Sequence, residues 1–258
     1  MQRRRLGRTD LHVPVIGMGT WQTFDTAQDR SPLVAEAFAA GIDLFDSSPM
    51  YGRAEAALAR ALGSLRKQAL VATKVWTQNP EEGEAQASSA LSRFGKVDIY
   101  QVHNLVNWKT QLRLLERLKG EGKVSAIGAT HYLPSAFGEL CDVMRTGRLD
   151  MIQMPYTPRL RDAEIRVLPL AAELGVGVLV HSPLRFGVLE KPVAPQALLD
   201  FGVNTTAQLV LKWIASDPRV SCVLTATRTA GRPAENGAAG DPPWLDAKQR
   251  EQVASLLR

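Results

Sequence analysis

Four side chains, each placed at or just past the end of an apolar run, carry the chemistry open to this chain. Ile42 to Phe45 is the first such run; it ends in Asp46, and Ser47, Ser48 and Pro49 break regular structure before Tyr51 and Gly52. It reads as a buried strand that delivers an acid and a phenol into a loop. The run LVATK ends in Lys74, and the run IYQVH ends in His103. A tyrosine, a lysine and an aspartate at adjoining strand ends make an acid catalyst. Lys74, held by Asp46, would place a cation near the Tyr51 hydroxyl, favour the phenolate and bring a pKa normally about 10 toward the working range. His103 would then donate a hydrogen bond to a substrate oxygen. Singly, a buried lysine–aspartate pair is as often structural, and a lone strand-end histidine is more often a satisfied polar residue; the argument rests on their convergence.

These side chains meet only if successive strands deliver them to one face. Apolar strand candidates begin near Ile42, Leu70, Val97, Val124, Met151 and Val176, roughly 25 to 28 residues apart, with amphipathic patterns between them. A first strand, Val15 to Gly19, and a last, Val220 to Leu224, bring the count to eight. The spacing predicts helices over 33–40, 55–65, 81–94, 109–120, 134–145, 163–174, 206–216 and 246–257. Ser31 before Pro32 and Thr205 before Thr206 read as N-caps, and Gly95, Gly147 and Gly175 as helix stops. Residues 3–14, RRRLGRTDLHVP, suggest a hairpin ahead of the repeat. The expectation is a (β/α)8 TIM barrel with an N-terminal β-hairpin, as one domain over 1–258. A doubly wound sheet is the rival, but GMGTWQ after the first strand opens no helix at once. Residues 182–204 and 225–243 break the rhythm, and long loops in a compact domain are usually functional. Every strand of a barrel ends on the same face, so Thr130 and His131, Gln153 and Tyr156, and His181 and Ser182 should join the same rim.

With those residues in view, the chain resembles the aldo-keto reductase family over nearly its whole length. RRRLGRTDLHVPVIGMGTW is similar to the family's N-terminal hairpin and first strand, and the stretch from Asp46 to Gly52, with VATKVW and VHN, to the segments that hold its catalytic tetrad. The resemblance implies that Tyr51 is the proton donor, that Lys74 and Asp46 tune it, and that His103 orients the carbonyl. It also implies a nicotinamide cofactor, with Gln153 and the Thr130 hydroxyl on the carboxamide and His131 in place of the family's amide. His181, followed by Ser182, stands where an aromatic ring commonly stacks on the nicotinamide. The segment LTATRTAGRPAENGAAG resembles the adenosine loop, with Arg232 facing a phosphate and Glu235 and Asn236 facing adenine. Ala226 and Thr227 replace a frequent Lys–Ser pair, which leaves Arg228 to supply the missing cation. NADPH is therefore the expected cofactor, with NADH possible.

Composition narrows the alternatives. With 258 residues, 45% of them hydrophobic, and no break between halves, the chain can bury one large core. The net charge of +5 is dispersed apart from Arg3 to Arg5, which argues against a nucleic-acid partner. No apolar run approaches the roughly 18 residues of a membrane span, and no hydrophobic signal core follows the first arginines, so a cytoplasmic protein is expected. Cys141 and Cys222 are too few for a disulfide framework or a zinc site, and the rim mixes amides, hydroxyls and aromatics, so no metal is expected. Trp21, Phe24, Met50, Trp76 and Trp108 follow the first four strands and are expected to line the mouth, which would suit aromatic or apolar small-molecule carbonyls. The sequence stops at Arg258, just past the last predicted helix, where many relatives carry a tail over the substrate; a more open pocket is expected. The function expected is NADPH-dependent reduction of aldehydes or ketones. The alternative is a nicotinamide-binding sensor or regulatory subunit with negligible turnover.

Overall fold

The structure, a computed structural model, describes residues 1–257. The chain begins with a hairpin, β1 (Arg3–Arg5) antiparallel to β2 (His12–Pro14), followed by eight parallel strands. These are β3 (Ile16–Gly19), β4 (Leu44–Asp46), β5 (Leu70–Val75), β6 (Val97–His103), β7 (Val124–Thr130), β8 (Met151–Pro155), β9 (Gly177–His181) and β10 (Cys222–Ala226). β10 pairs back onto β3, so the sheet closes and no edge is left. This is the eight-unit barrel with its hairpin that the spacing predicts.

Outside the barrel lie α1 (Ser31–Ala39), α2 (Ala54–Leu62), α3 (Pro80–Phe94), α4 (Trp108–Gly120), α5 (Phe137–Arg145), α6 (Val167–Glu173), α7 (Pro195–Asp200), α8 (Thr206–Ala215), α9 (Arg232–Gly237) and α10 (Ala247–Leu256). Local chemistry sets their ends. Asn79 caps α3 by accepting from the backbone N–H of Glu81 and Glu82, Pro80 fills the first turn, and Gly95 ends it at φ +74°. Thr205 caps α8, and Asp246 forms a reciprocal capping box with Gln249 on α10. Ser31 is not an N-cap. It is the first helical residue of α1, and Asp29 Oδ1 accepts its N–H at 2.9 Å. The predicted helices over 134–145 and 163–174 each open with a short 3₁₀ turn instead of a full α-turn. The two segments that broke the rhythm hold the short helices α7 and α9.

Two apolar layers hold the fold. Leu44, Ala72, Ile99, Ala126, Met151, Leu179 and Cys222 fill the barrel interior, while a larger layer lies between strands and helices. Leu6, from the hairpin turn, is fully buried in the interior layer, so the hairpin stoppers one end of the barrel. Gly7 follows at φ +55°, and a Cβ there would lie 2.6 Å from the Gly175 carbonyl oxygen and 2.8 Å from that of Asp150. Only glycine meets both the dihedral and the space. Both cysteines are buried and unpaired. No helix among the described residues is long and apolar enough to cross a membrane.

Gly7→Ala is accordingly expected to destabilise the fold by more than about 1 kcal/mol, read as a lower urea midpoint with an unchanged slope. An unchanged midpoint would mean that the hairpin does not seal the barrel.

Candidate active site

The strand ends carry their side chains to one cavity. Barrel register pairs Gly19 with Asp46, Asp46 with Ala72, and Lys74 with Gln101, and it puts His103, Thr130 and Gln153 side by side on β6, β7 and β8. The cavity has a volume of about 750 Å³, and its walls include Tyr51, His103, Thr130, Gln153, His181 and Trp21. Three wall residues other than glycine hold positive φ: Gln22 (59°), Asn104 (54°) and Ser182 (53°). Such backbone costs on the order of 1–3 kcal/mol per residue, and here it lies where strands hand over to the rim.

Beneath the cavity, the Lys74 Nζ lies 2.6 Å from Asp46 Oδ2 and donates to the Ser47 carbonyl at 2.7 Å. Gln101 Nε2 donates to Asp46 Oδ1 at 3.1 Å. Lys74 is 1% exposed and Asp46 4%. Two charges withdrawn from water this far hold together only with further hydrogen bonds, which Ser47 supplies to the ammonium and Gln101 to the carboxylate. The Lys74 ammonium lies 5.2 Å from the centre of the Tyr51 ring. Tyr51 in turn meets His103 edge to face, with ring centres 5.6 Å apart.

The electrostatics reverse the expectation for Tyr51. Burial raises its pKa and outweighs the lowering by Lys74, so the phenol ends above its ordinary value instead of below it. The cation limits the rise, and the group stays protonated at neutral pH. Lys74 keeps its charge: burial opposes the ammonium, but Asp46 and Tyr51 more than offset that, and its pKa is raised. His103 is pushed down to about 2, first by burial and then by Lys74, so its ring is neutral. Burial also drives His181 down to about 4. Its Nε2 lies 3.3 Å from the His131 carbonyl, which can only accept, so Nε2 carries the proton and Nδ1 accepts from Ser182 Oγ at 3.0 Å.

Several expected site residues lie elsewhere. Phe24 is fully buried in the outer core, because the loop after β3 folds inward with the Phe24 N–H on the Thr20 carbonyl. Trp108 opens α4 and packs against that same core, carried off the rim by the turn at 104–107. Trp76 is 40% exposed but outside the cavity wall; Gln86 of α3 brackets its backbone N–H and carbonyl. Trp21 and Met50 do line the wall, whereas Tyr156 is fully buried in the outer core with its ring against Trp213. The His131 side chain is not part of the wall, since its Nδ1 accepts the Leu133 N–H and closes a turn. Beyond β10, Arg228 is exposed, Asn236 is buried, and Arg232 pairs with Glu235 at 2.5 Å. Glu235 also accepts from Thr205, and Glu36 of α1 accepts the N–H of Gly231 at 3.1 Å.

Sequence reasoning missed Gln101, Ser48 and Tyr132. Gln101 was findable: it lies two residues before His103 on one strand, hence on the same face. Gln153 supplies a separate clue. Its Nε2 is buried with no hydrogen-bond partner among the described residues, yet the side chain borders the cavity. A native protein rarely leaves such a donor unmet, so an amide or carbonyl of a ligand fits there.

A closed parallel barrel with a protonated tyrosine, a charged lysine and a neutral histidine at the strand C-termini defines an oxidoreductase of the carbonyl-reducing barrel class. The chain belongs to the Aldo/keto reductase family, whose sequence profile matches residues 15–258. It is 31% identical over 232 residues to the NADH-specific methylglyoxal reductase of Escherichia coli strain K12, covering 73% of this chain and 69% of that protein. It is 27% identical over 301 residues to L-galactose dehydrogenase of Arabidopsis thaliana, covering 100% of this chain and 94% of that protein. In fold it is similar to an aldo-keto reductase from Klebsiella pneumoniae solved in complex with NADPH, at a TM-score of 0.82 and 23% identity, covering 100% of this chain and 96% of the other. The protein is an NAD(P)H-dependent oxidoreductase.

The depressed histidine pKa values have a consequence for stability. Unfolding lets His103 return to its ordinary value of 6.5, so the stability tied to the neutral ring is present above that pH and lost as pH falls from 6.5 toward about 2. At pH 5 the loss from His103 alone is on the order of 2 kcal/mol. Denaturant unfolding at pH 7 and pH 5 should show this drop, and His103→Gln should shrink it. An equal drop in the variant would place the proton uptake elsewhere.

Proposed function

We propose that the barrel spanning residues 1–258 reduces an aldehyde or ketone to the alcohol, with Tyr51 as proton donor, NADPH as the expected cofactor and NADH also accepted. The observation that carries this is the buried Lys74–Asp46 pair lying under a phenol that opens, with His103, into one cavity. The unmet amide of Gln153, with Thr130 and His181 in the same wall, fits the nicotinamide end of such a cofactor. When bound, the nicotinamide supplies the hydride. Arg228 and Arg232 are assigned to a phosphate, and Glu235 and Asn236 to the adenine.

The chain's own part is position and proton. A Tyr51 pKa above the ordinary value keeps the proton on the phenol, ready for an oxygen that becomes far more basic as the carbonyl is reduced. The phenolate left behind is stabilised by the Lys74 ammonium, whose own charge Asp46 secures. Neutral His103 donates a hydrogen bond to the same oxygen and fixes its direction. A sensor would not need a protonated acid beside a buried cation, and this favours turnover over mere binding. The free buried cysteines suit a cytoplasmic, reducing setting.

Trp21, Met50 and Tyr132, all in the wall and all at least 40% exposed, favour an apolar or aromatic carbonyl. The names of the E. coli relatives point instead to methylglyoxal, a small ketoaldehyde, and this belongs in the same assay.

Tyr51→Phe is expected to lower kcat by about 10² to 10⁴ while leaving the cofactor Kd nearly unchanged, since it removes the acid and little volume. Full turnover in the variant would mean another residue gives the proton. In a separate comparison, kcat/KM for a nitrobenzaldehyde should exceed that for an aldose of similar mass, and Trp21→Ala should hurt the former more than methylglyoxal. A clear preference for the aldose would overturn the apolar assignment.

A further inference from the structure

We propose that Ser48 fixes the tautomer of His103, holding the proton on Nε2, and so acts as a positioning residue for the carbonyl reduction proposed above, on which its functional meaning rests. Ser48 is fully buried and stands two residues after Asp46. Its Oγ accepts the Met50 N–H at 3.2 Å and lies 2.9 Å from His103 Nδ1. Those are its side-chain hydrogen bonds among the described residues.

The valences then decide the direction. A serine hydroxyl has one proton to give and two lone pairs. If Nδ1 carried the imidazole proton, Oγ would accept from both Nδ1 and Met50, and the hydroxyl proton would be left buried without an acceptor. If Ser48 donates to Nδ1, every group is satisfied, and the imidazole proton resides on Nε2. His103 borders the cavity while Nδ1 is taken by Ser48, so Nε2–H is the donor left for a ligand oxygen. The opposite tautomer would present a lone pair there and repel that oxygen. The second contact of Ser48 gives the arrangement its use. Met50 lies in the Pro49–Tyr51 turn that carries the phenol, and Ser48 is the cap of that turn. One hydroxyl thus ties the turn bearing the acid to the ring bearing the orienting donor, and sets both against the same oxygen.

The test is imidazole ¹⁵N NMR on the full chain, with the His103 signals assigned by their absence in His103→Gln. The wild type is expected to show a protonated Nε2 and an unprotonated Nδ1. Ser48→Ala is expected to lose that single tautomer, with kcat falling about tenfold or more, a part of the roughly 10² to 10³ lost with a whole oxyanion donor. KM should change little, and Ser48→Thr, which keeps the hydroxyl, should restore both signals and rate. A wild-type ring protonated on Nδ1, or a tautomer unchanged in Ser48→Ala, overturns the proposal; so does a changed tautomer with full kcat. If Ser48→Ala does not fold, the wild-type spectrum alone decides. The spectrum needs no turnover, so a wild type protonated on Nε2 that reduces no carbonyl sinks the functional assignment and leaves the tautomer standing.

Discussion

A lysine and an aspartate buried side by side govern this site, because neither is tolerable alone. An unpaired ammonium or carboxylate in the barrel would lose its charge or unfold the chain, and the desolvation of both is offset only through close contact and further hydrogen bonds. Here the contact is 2.6 Å, with the Ser47 carbonyl accepting a second hydrogen bond from the lysine and Gln101 donating to the other carboxylate oxygen. The outcome is a permanent positive charge behind the Tyr51 ring, insulated from solvent. That charge opposes the burial that raises the phenol pKa, and it adds to the burial that lowers that of His103. Two neighbouring rings are thereby held in different states, a phenol that keeps its proton and a neutral imidazole.

The barrel is what makes such a pair tolerable. Asp46 and Lys74 come from the adjacent strands β4 and β5, and Gln101 and His103 from β6, so closure and register fix their separations before any side chain chooses a rotamer. The hairpin stopper at Leu6 and Gly7 seals the opposite end, leaving the strand C-termini as the open face. Strain is concentrated at that face, in Gln22, Asn104 and Ser182, where rigid strands pass into the loops that build the wall.

Much of this was legible in the sequence, since it rests on periodicity and on residue type at strand ends. The 25 to 28 residue rhythm marks six of the eight strands, β4 to β9, and Asp46, Tyr51, Lys74 and His103 stand at or just past apolar runs near the ends of β4, β5 and β6. The departures from the expected rim share one cause. Phe24, Trp76, Trp108 and His131 lie in loops or at loop edges, where a side chain's direction depends on the turn and not on a strand's alternation. Gln86 claims the Trp76 backbone, and the Leu133 N–H claims the His131 ring. The sign of the Tyr51 shift was also out of reach, because proximity to lysine is visible in the spacing whereas the depth of burial is not. Ser48 looked like a loop former and proved to be a hydrogen-bonded part of the site.

The claim that the buried pair sets the acidity of Tyr51 is tested most directly by the pH dependence of kcat/KM for carbonyl reduction. The wild type should be compared with a Lys74→Met, Asp46→Asn double variant, which removes both charges together and leaves neither stranded. With the cation gone, the phenol should lose its proton only at still higher pH, so the alkaline limb should move upward while the rate at neutral pH falls with the phenolate's stabiliser. An alkaline limb that stays in place, with the neutral rate preserved, would contradict the account.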